Sequence, residues 1–114
     1  MITTAVILFA IAAVGGLVMA SKVLTGNQAP WFLSIVHALL GATGLILLTM
    51  TAANSGWPGL LSASLALLVI AALGGFYLAS NHLRGSISPK GVVLIHAGVA
   101  VAGFLTLLTV LFKI

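Results

Sequence analysis

The chain has 114 residues, of which 62% are hydrophobic and 4% are charged, and it contains four Lys or Arg but no Asp or Glu. A soluble domain carries roughly a quarter charged residues, so this composition excludes a water-exposed surface and makes the bilayer the solvent for most of the chain. Because there is no Asp, Glu or Cys, a carboxylate acid or base, a carboxylate metal cage and a thiolate metal site are excluded as well.

The first half of the chain predicts two membrane-spanning helices. A spanning helix needs about 20 apolar residues, and the first such segment runs from about Thr3 to Ser21. The stretch Lys22–Ala29 is predicted to be a turn, since Gly26 and Asn27 break helices. A second helix is predicted from about Pro30 to Ala52, because proline suits the first turn of a helix.

The second half predicts the same layout. A third helix is expected from about Leu60 to Ser80 and a fourth from near Pro89 to Phe112. The turn at 81–88 between them holds His82, which we expect to be solvated or among lipid headgroups. An uncharged turn at 53–59 joins the halves. The prediction is an all-α membrane protein with one four-helix transmembrane domain over residues 1–114.

The two halves are copies of one helical hairpin. The pattern L-x-G-x-x-x-P-x6-H-A-x5-G runs from Leu24 to Gly44 and again from Leu83 to Gly103, always with an offset of 59, the difference between 24 and 83. Each copy, about 1–55 and about 60–114, has two spans, so both copies cross the membrane in the same direction. We expect a pseudo-twofold axis along the membrane normal, as in parallel repeats.

Positive charges set the expected orientation. Lys22, Arg84 and Lys90 lie in the first and third turns, whereas the middle turn has no charge. The positive-inside rule places those two turns in the cytoplasm and both termini outside; Lys113 alone favours the opposite orientation. We expect an integral protein of the bacterial inner membrane, with the lipid bilayer as its surroundings. The net charge of +4 is too small and dispersed to indicate a nucleic-acid partner.

Each copy places one histidine inside the apolar part of its second helix. His37 and His96 both follow the helix-starting proline by seven residues, which is about 10 Å below the cytoplasmic interface. An ionisable side chain inside the hydrocarbon is costly and is by default a functional-site hypothesis. The pseudo-twofold axis would give the two imidazoles equal depth and let them face each other.

Two neutral imidazoles in an apolar bundle suit a haem iron, with one histidine on each axial face. His37 and His96 are therefore the predicted metal ligands of one haem b. Glycines on the first and third helices would leave room for a flat macrocycle, and basic side chains at the nearer membrane face would pair with haem propionates. These predicted cofactor contacts are Gly15, Gly16, Gly74, Gly75, Lys22, Arg84 and Lys90.

Histidines on the second and fourth helices of a small bundle resemble those of membrane b-type cytochromes of the cytochrome b561 kind. The resemblance covers the bundle architecture and the histidine pair. It implies an electron carrier, or a haem-bearing subunit of a larger redox complex, rather than an enzyme by itself, with a quinone or a membrane redox complex as partner. Those cytochromes usually hold two haems on four histidines, so at most one haem is implied here. The chain is also similar to small uncharacterised four-span bacterial membrane proteins.

Other functions stay open on the sequence alone. A histidine bonded to another histidine or to a backbone carbonyl is an adequate device for joining helices, so the chain could be a structural or assembly subunit, and it could be a homodimer. Its length and four spans resemble the small multidrug resistance transporters, but the membrane-embedded glutamate of that family is missing. A small channel has no motif in its favour, and a chlorophyll-type pigment on one histidine is a variant of the haem hypothesis.

Overall fold

A computed structural model describes residues 1–112 of the chain. Its four helices are α1 (Ile2–Leu24), α2 (Trp31–Asn54), α3 (Gly59–Leu83) and α4 (Lys90–Phe112). All four are long and apolar enough to cross a membrane. The predicted all-α architecture with four candidate spans is confirmed. Lys113, the charge that favoured the opposite orientation, lies outside the described residues.

Prolines mark the starts of α2 and α3. Pro30 and Pro58 each stand just before the helix with an extended backbone, at ψ 134 and ψ 140. Their carbonyl oxygens accept the first helical hydrogen bonds, from the backbone N–H groups of Ser34 and Ser62. Because proline has no N–H of its own, it adds no further donor to the unpaired N–H groups of the first turn. Pro30 therefore precedes α2 by one residue instead of lying inside its first turn.

The turns after α1 and α3 have the same construction. Gly26 and Gly85 adopt φ values of +86 and +72, a left-handed conformation that glycine takes without strain. Both α1 and α3 continue three residues beyond their predicted ends at Ser21 and Ser80. His82 consequently lies in the last turn of α3, not in the connecting turn where the sequence had placed it.

The helices are arranged around a square. The two helices of each hairpin pack closely against each other, while α1 lies beside α4 and α2 beside α3 along thinner contacts. Within residues 1–112, the diagonal pairs α1–α3 and α2–α4 make no close backbone approach. Exchanging the two hairpins leaves this set of neighbours unchanged, as a pseudo-twofold axis through the centre of the bundle requires.

The hydrophobic core fills one end of the bundle, where α1 and α3 begin and α2 and α4 end. Leu48 and Leu107 are fully buried there, and they occupy equivalent positions in the two repeats. The remaining core members are Ala5, Val6, Phe9, Ala52, Leu61, Leu65 and Leu68. Tight packing at this end leaves the other half of the bundle, which carries the histidines, more open.

Glycines on α2 and α4 let their partner helices come close. A Cβ added at Gly44 would lie 2.8 Å from Phe9 Cζ, and one added at Gly103 would lie 2.9 Å from Leu68 Cγ. Phe9 and Leu68 are repeat equivalents, as are the two glycines. In the second repeat the contact is strengthened by a buried hydrogen bond of 2.9 Å from Ser64 Oγ to Gly103 O. Small residues thus set the helix spacing, as in other membrane bundles.

Candidate functional site

The two intramembrane histidines are held in equivalent ways. His37 Nδ1 lies 2.8 Å from Ala12 O on α1, and His96 Nδ1 lies 2.7 Å from Ala71 O on α3. Since a carbonyl can only accept, each Nδ1 carries the proton and donates it. Each Nε2 is then left with a free lone pair. Neither Nε2 is bonded to any of the described residues.

A glycine on the neighbouring helix makes room for each ring. A Cβ added at Gly16 would lie 3.0 Å from His37 Cε1, and one added at Gly75 would lie 3.2 Å from His96 Cε1. Any other residue at these two positions would push against the imidazole. Gly16 and Gly75 therefore fix where the rings sit relative to the carbonyls they bond.

The other glycine of each pair has a different place. Gly15 has open space where a Cβ would be, and it lines a separate groove between α1 and α2. A Cβ at Gly74 would make ordinary contact with His96, at 3.7 Å from its Cβ and Nδ1. Only the second glycine of each pair, Gly16 and Gly75, lines the central cavity.

The two imidazoles lie close together across the bundle. The centres of the His37 and His96 rings are 6.2 Å apart, and the ring planes make an angle of 72°. Within residues 1–112 there is no cluster of three or more His, Cys, Asp or Glu able to hold a metal ion. The protein can thus offer one ion two nitrogen ligands, and the remaining ligands must come from elsewhere.

A cavity of about 510 Å³ surrounds the histidine pair and is lined by all four helices. Its volume falls within the range of about 300–1,000 Å³ that is typical of small-molecule and cofactor sites. The wall is mostly apolar, and the two imidazoles are among its few polar groups. Toward the core, the cavity is bounded by two repeat-equivalent pairs of side chains, Phe9 with Leu68 and Leu45 with Phe104.

The cavity also opens sideways between the two hairpins. On the α1–α4 side it is lined by Leu17 and Val101, which are 67% and 52% exposed. On the α2–α3 side it is lined by Ile35 and Phe76, which are 54% and 71% exposed. Side chains that line a cavity and are still exposed mark a lateral window. In a bilayer both windows would face lipid.

The expectation that His82 is solvated is wrong. His82 is 9% exposed, and its ring stacks on the Trp31 indole with centroids 3.7 Å apart and planes 13° apart. Its Nδ1 lies 3.1 Å from Ser34 Oγ. The last turn of α3 carries His82 inward over the cavity, which it helps to line. The extra helical turn at the end of α3 is the physical reason for the difference.

The basic residues lie at the same end of the bundle but outside the cavity. Lys22 is in the last turn of α1, Lys90 begins α4, and Arg84 follows α3. All three are exposed. Arg84 donates a 2.7 Å hydrogen bond to Asn81 Oδ1, so its guanidinium is already engaged at the end of α3. These charges surround the turn end of the bundle and do not line the cavity wall.

Comparison with known proteins gives no match: no family model, no curated protein and no solved structure is significantly similar to this chain.

Proposed function

We propose that this chain is a membrane haem-b protein that binds one haem between His37 and His96. The observation that carries the proposal is the pairing of each Nδ1 with a backbone carbonyl, at 2.8 and 2.7 Å. Histidines that ligate metals almost always donate their other ring N–H to an acceptor of this kind, which fixes the tautomer and the ring orientation. His37 and His96 are both prepared in that way.

The spacing of the rings suits one shared ion. A ligating nitrogen lies about 2 Å from its metal and about 1 Å from the centre of its own ring, so two imidazoles that held one ion would have centres about 6 Å apart. The observed distance is 6.2 Å. Haem supplies four further nitrogen ligands from its own macrocycle, which removes the need for more protein ligands. The apolar cavity around the pair provides a site for a macrocycle.

The residues of this chain would have distinct tasks in such a protein. His37 and His96 would hold the iron, while Ala12 O and Ala71 O would keep the Nδ1 protons in place. The apolar wall would exclude water and so influence the redox potential, together with the axial ligands. When bound, haem iron supplies one-electron chemistry, which makes an electron carrier or a haem-bearing subunit of a larger redox complex the fitting role.

The positions of the histidines indicate in which half of the bilayer the proposed haem would lie. Lys22, Arg84 and Lys90 cluster at the end of the bundle nearer the cavity, so the positive-inside rule favours a cytoplasmic location for that end. In a bacterial inner membrane the haem would lie in the cytoplasmic half of the bilayer. A single haem there can exchange electrons with a quinone or a neighbouring protein, but it does not form a path across the membrane.

A structural subunit is the second candidate, and one observation favours it. The two histidine–carbonyl bonds join α1 to α2 and α3 to α4, so they tie together the helices of each hairpin. That function uses only Nδ1 of each ring. It explains neither the free Nε2 atoms nor the cavity of about 510 Å³ into which the rings project.

The visible spectrum of the mildly purified protein, before and after reduction with dithionite, tests the proposal. We expect a Soret band, with resolved α and β bands after reduction, and loss of this low-spin spectrum in His37→Ala and His96→Ala. The matched control is His82→Ala, which removes the third histidine of the chain and should keep the spectrum. A colourless protein that stays colourless after haemin is added would overturn the proposal and leave the structural role. A spectrum that survives both single substitutions would remove these histidines as ligands.

A further inference from the structure

A second polar group lines the cavity near the turns, and it has no counterpart across the pseudo-twofold axis. It consists of His82 on α3 with Trp31 and Ser34 on α2, which we call the His82 cluster. At the equivalent positions the sequence has Val23, Lys90 and Val93, none of which repeats the pattern. The duplication therefore explains the His37–His96 pair but not the His82 cluster. This asymmetry calls for a separate physical reason.

The contacts of His82 leave one ring nitrogen unused. One face of the ring stacks on Trp31 at 3.7 Å, and Nδ1 lies 3.1 Å from Ser34 Oγ. The Ser34 hydroxyl is also 3.4 Å from Met19 Sδ. His82 Nε2 is buried and has no hydrogen-bond partner among residues 1–112. A buried polar atom without a partner is rare and costly, so His82 Nε2 marks a place where a ligand atom belongs.

The chemistry of the missing partner follows from its surroundings. Depending on which nitrogen carries the proton, Nε2 can donate to a carbonyl oxygen or accept from a hydroxyl. No Lys or Arg is among the residues that line the cavity, so a charged ligand would have no counter-ion. The lateral window formed by Ile35 and Phe76 faces the lipid and leads into the same cavity. These conditions select a neutral molecule that is soluble in the membrane.

We propose that the His82 cluster is a second ligand site, which binds a neutral membrane-soluble molecule with one hydroxyl or carbonyl oxygen on an apolar body. The oxygen forms a hydrogen bond with His82 Nε2. The apolar body lies in the cavity and extends through the α2–α3 window toward the lipid. Nε2 is shielded by its neighbours in the present conformation, so the ligand displaces a side chain on arrival. Met19, which is long and flexible and lines the cavity, can move in this way.

This site is separate from the proposed haem site, although both use one cavity. Gly75 contacts the His96 ring, and His82 follows Gly75 by seven residues on α3. At 1.5 Å per residue, the His82 cluster lies about 10 Å further toward the turns. The inference does not rest on haem binding, because it depends on His82 Nε2 and the window alone.

Trp31 offers a direct reporter for the site. The chain has two tryptophans, and Trp57→Phe removes the one at the opposite end of the bundle. In that background, para-nonylphenol is added to the haem-free protein in lipid nanodiscs while Trp31 fluorescence is followed. Nonylbenzene, which lacks only the oxygen, is the matched probe. The matched variant is His82→Phe, which keeps an aromatic ring on the indole but removes both nitrogens.

We expect a saturable change in Trp31 emission with para-nonylphenol and an affinity about tenfold lower in His82→Phe, the loss typical of one hydrogen bond to a buried group. Nonylbenzene should bind more weakly and should not distinguish the two proteins. Equal affinities for para-nonylphenol in both proteins, or a change that never saturates, would overturn the proposal and leave partitioning into lipid or a buried water on Nε2.

Repeating the titration in His37→Ala and His96→Ala separates the two proposals. These variants abolish the haem spectrum if the haem proposal is right, but they should bind para-nonylphenol as the parent protein does. If the haem spectrum is never seen while the phenol still binds in a His82-dependent way, only the haem proposal fails. If the haem spectrum is seen and is lost in His37→Ala and His96→Ala, while His82→Phe leaves phenol binding unchanged, only the inference about His82 fails.

Discussion

Replacing Gly103 by alanine should destabilise the bundle, whereas replacing Gly98 in the same helix should not. A Cβ at Gly103 would lie 2.9 Å from Leu68 Cγ and 3.1 Å from Leu67 Cβ. Side-chain rotation cannot move Leu67 Cβ away, because it is attached directly to the backbone. The added methyl group must therefore push α3 and α4 apart. At Gly98 no atom lies within 4 Å of the added Cβ.

The size of the effect follows from two opposing terms. Overpacking a tight interface costs about 1–3 kcal/mol, and exchanging glycine for alanine inside a helix gains about 0.5–1 kcal/mol. Gly103→Ala should therefore lose about 1–2 kcal/mol, with part of the loss from weakening the 2.9 Å bond between Ser64 Oγ and Gly103 O. Gly98→Ala keeps only the favourable term and should be about 0.5–1 kcal/mol more stable than the parent. The two variants should thus differ by about 2 kcal/mol.

Reversible unfolding in mixed micelles, with increasing sodium dodecyl sulfate and circular dichroism as the signal, measures this difference. The same comparison in the first repeat uses Gly44→Ala, where the added Cβ would meet Phe9 Cζ at 2.8 Å, and Gly41→Ala, where it would meet nothing. If Gly103→Ala proves as stable as Gly98→Ala, α3 and α4 do not approach each other as described, and the reasoning from close packing is refuted.

Two further substitutions test the site and the core. Gly16→Ala should lower haem affinity by a factor of about ten or more. The reason is that its Cβ would lie 3.0 Å from His37 Cε1 and disturb the hydrogen bond that orients the ring. Haem titration at the Soret band measures the affinity, and Gly15→Ala is the control that should be unaffected. Equal affinities of the two variants would contradict the orienting role of the glycine. Leu107→Ala should lose about 2 kcal/mol or more by leaving a cavity in the core, whereas Leu105→Ala, at a position that is 56% exposed, should stay within about 0.5 kcal/mol of the parent. Unfolding in mixed micelles measures this pair, and equal losses would contradict the difference in burial.

Much of the fold could be predicted because a chain this apolar has few stable structures available to it. Apolar segments of this length must be helical in a bilayer, since no water is present to bond the backbone. The glycines and prolines then mark the turns, as Gly26 and Gly85 do with their positive φ values. What could not be predicted was the extra turn at the ends of α1 and α3. No residue at 22–24 or 81–83 breaks a helix, and helix ends are the least certain part of any such prediction.

The candidate site, like the fold, was only partly predictable from the sequence. The positions of His37 on α2 and His96 on α4 followed from the proline spacing. Their bonding partners did not, because a backbone carbonyl is present at every residue and the sequence does not single one out. Nor could spacing alone tell which glycine of each pair would contact a ring. Gly15 and Gly16 differ by about 100° around the helix axis, and only the packing of α1 on α2 decides which one faces His37. The burial of His82 was missed because it depends on the extended end of α3.

The duplication separates the features that both repeats share from the features that only one repeat has. Where the two repeats agree in structure, as in the histidine–carbonyl bonds at 2.8 and 2.7 Å, one physical explanation must serve both copies. A ligand shared across the pseudo-twofold axis satisfies that condition, since it presents the same face to each ring. Where the repeats differ, as at His82 and Val23, a symmetric ligand explains nothing. The ligand proposed for the His82 cluster would bond to one repeat alone, and the unpartnered Nε2 of His82 is the observation on which that proposal depends.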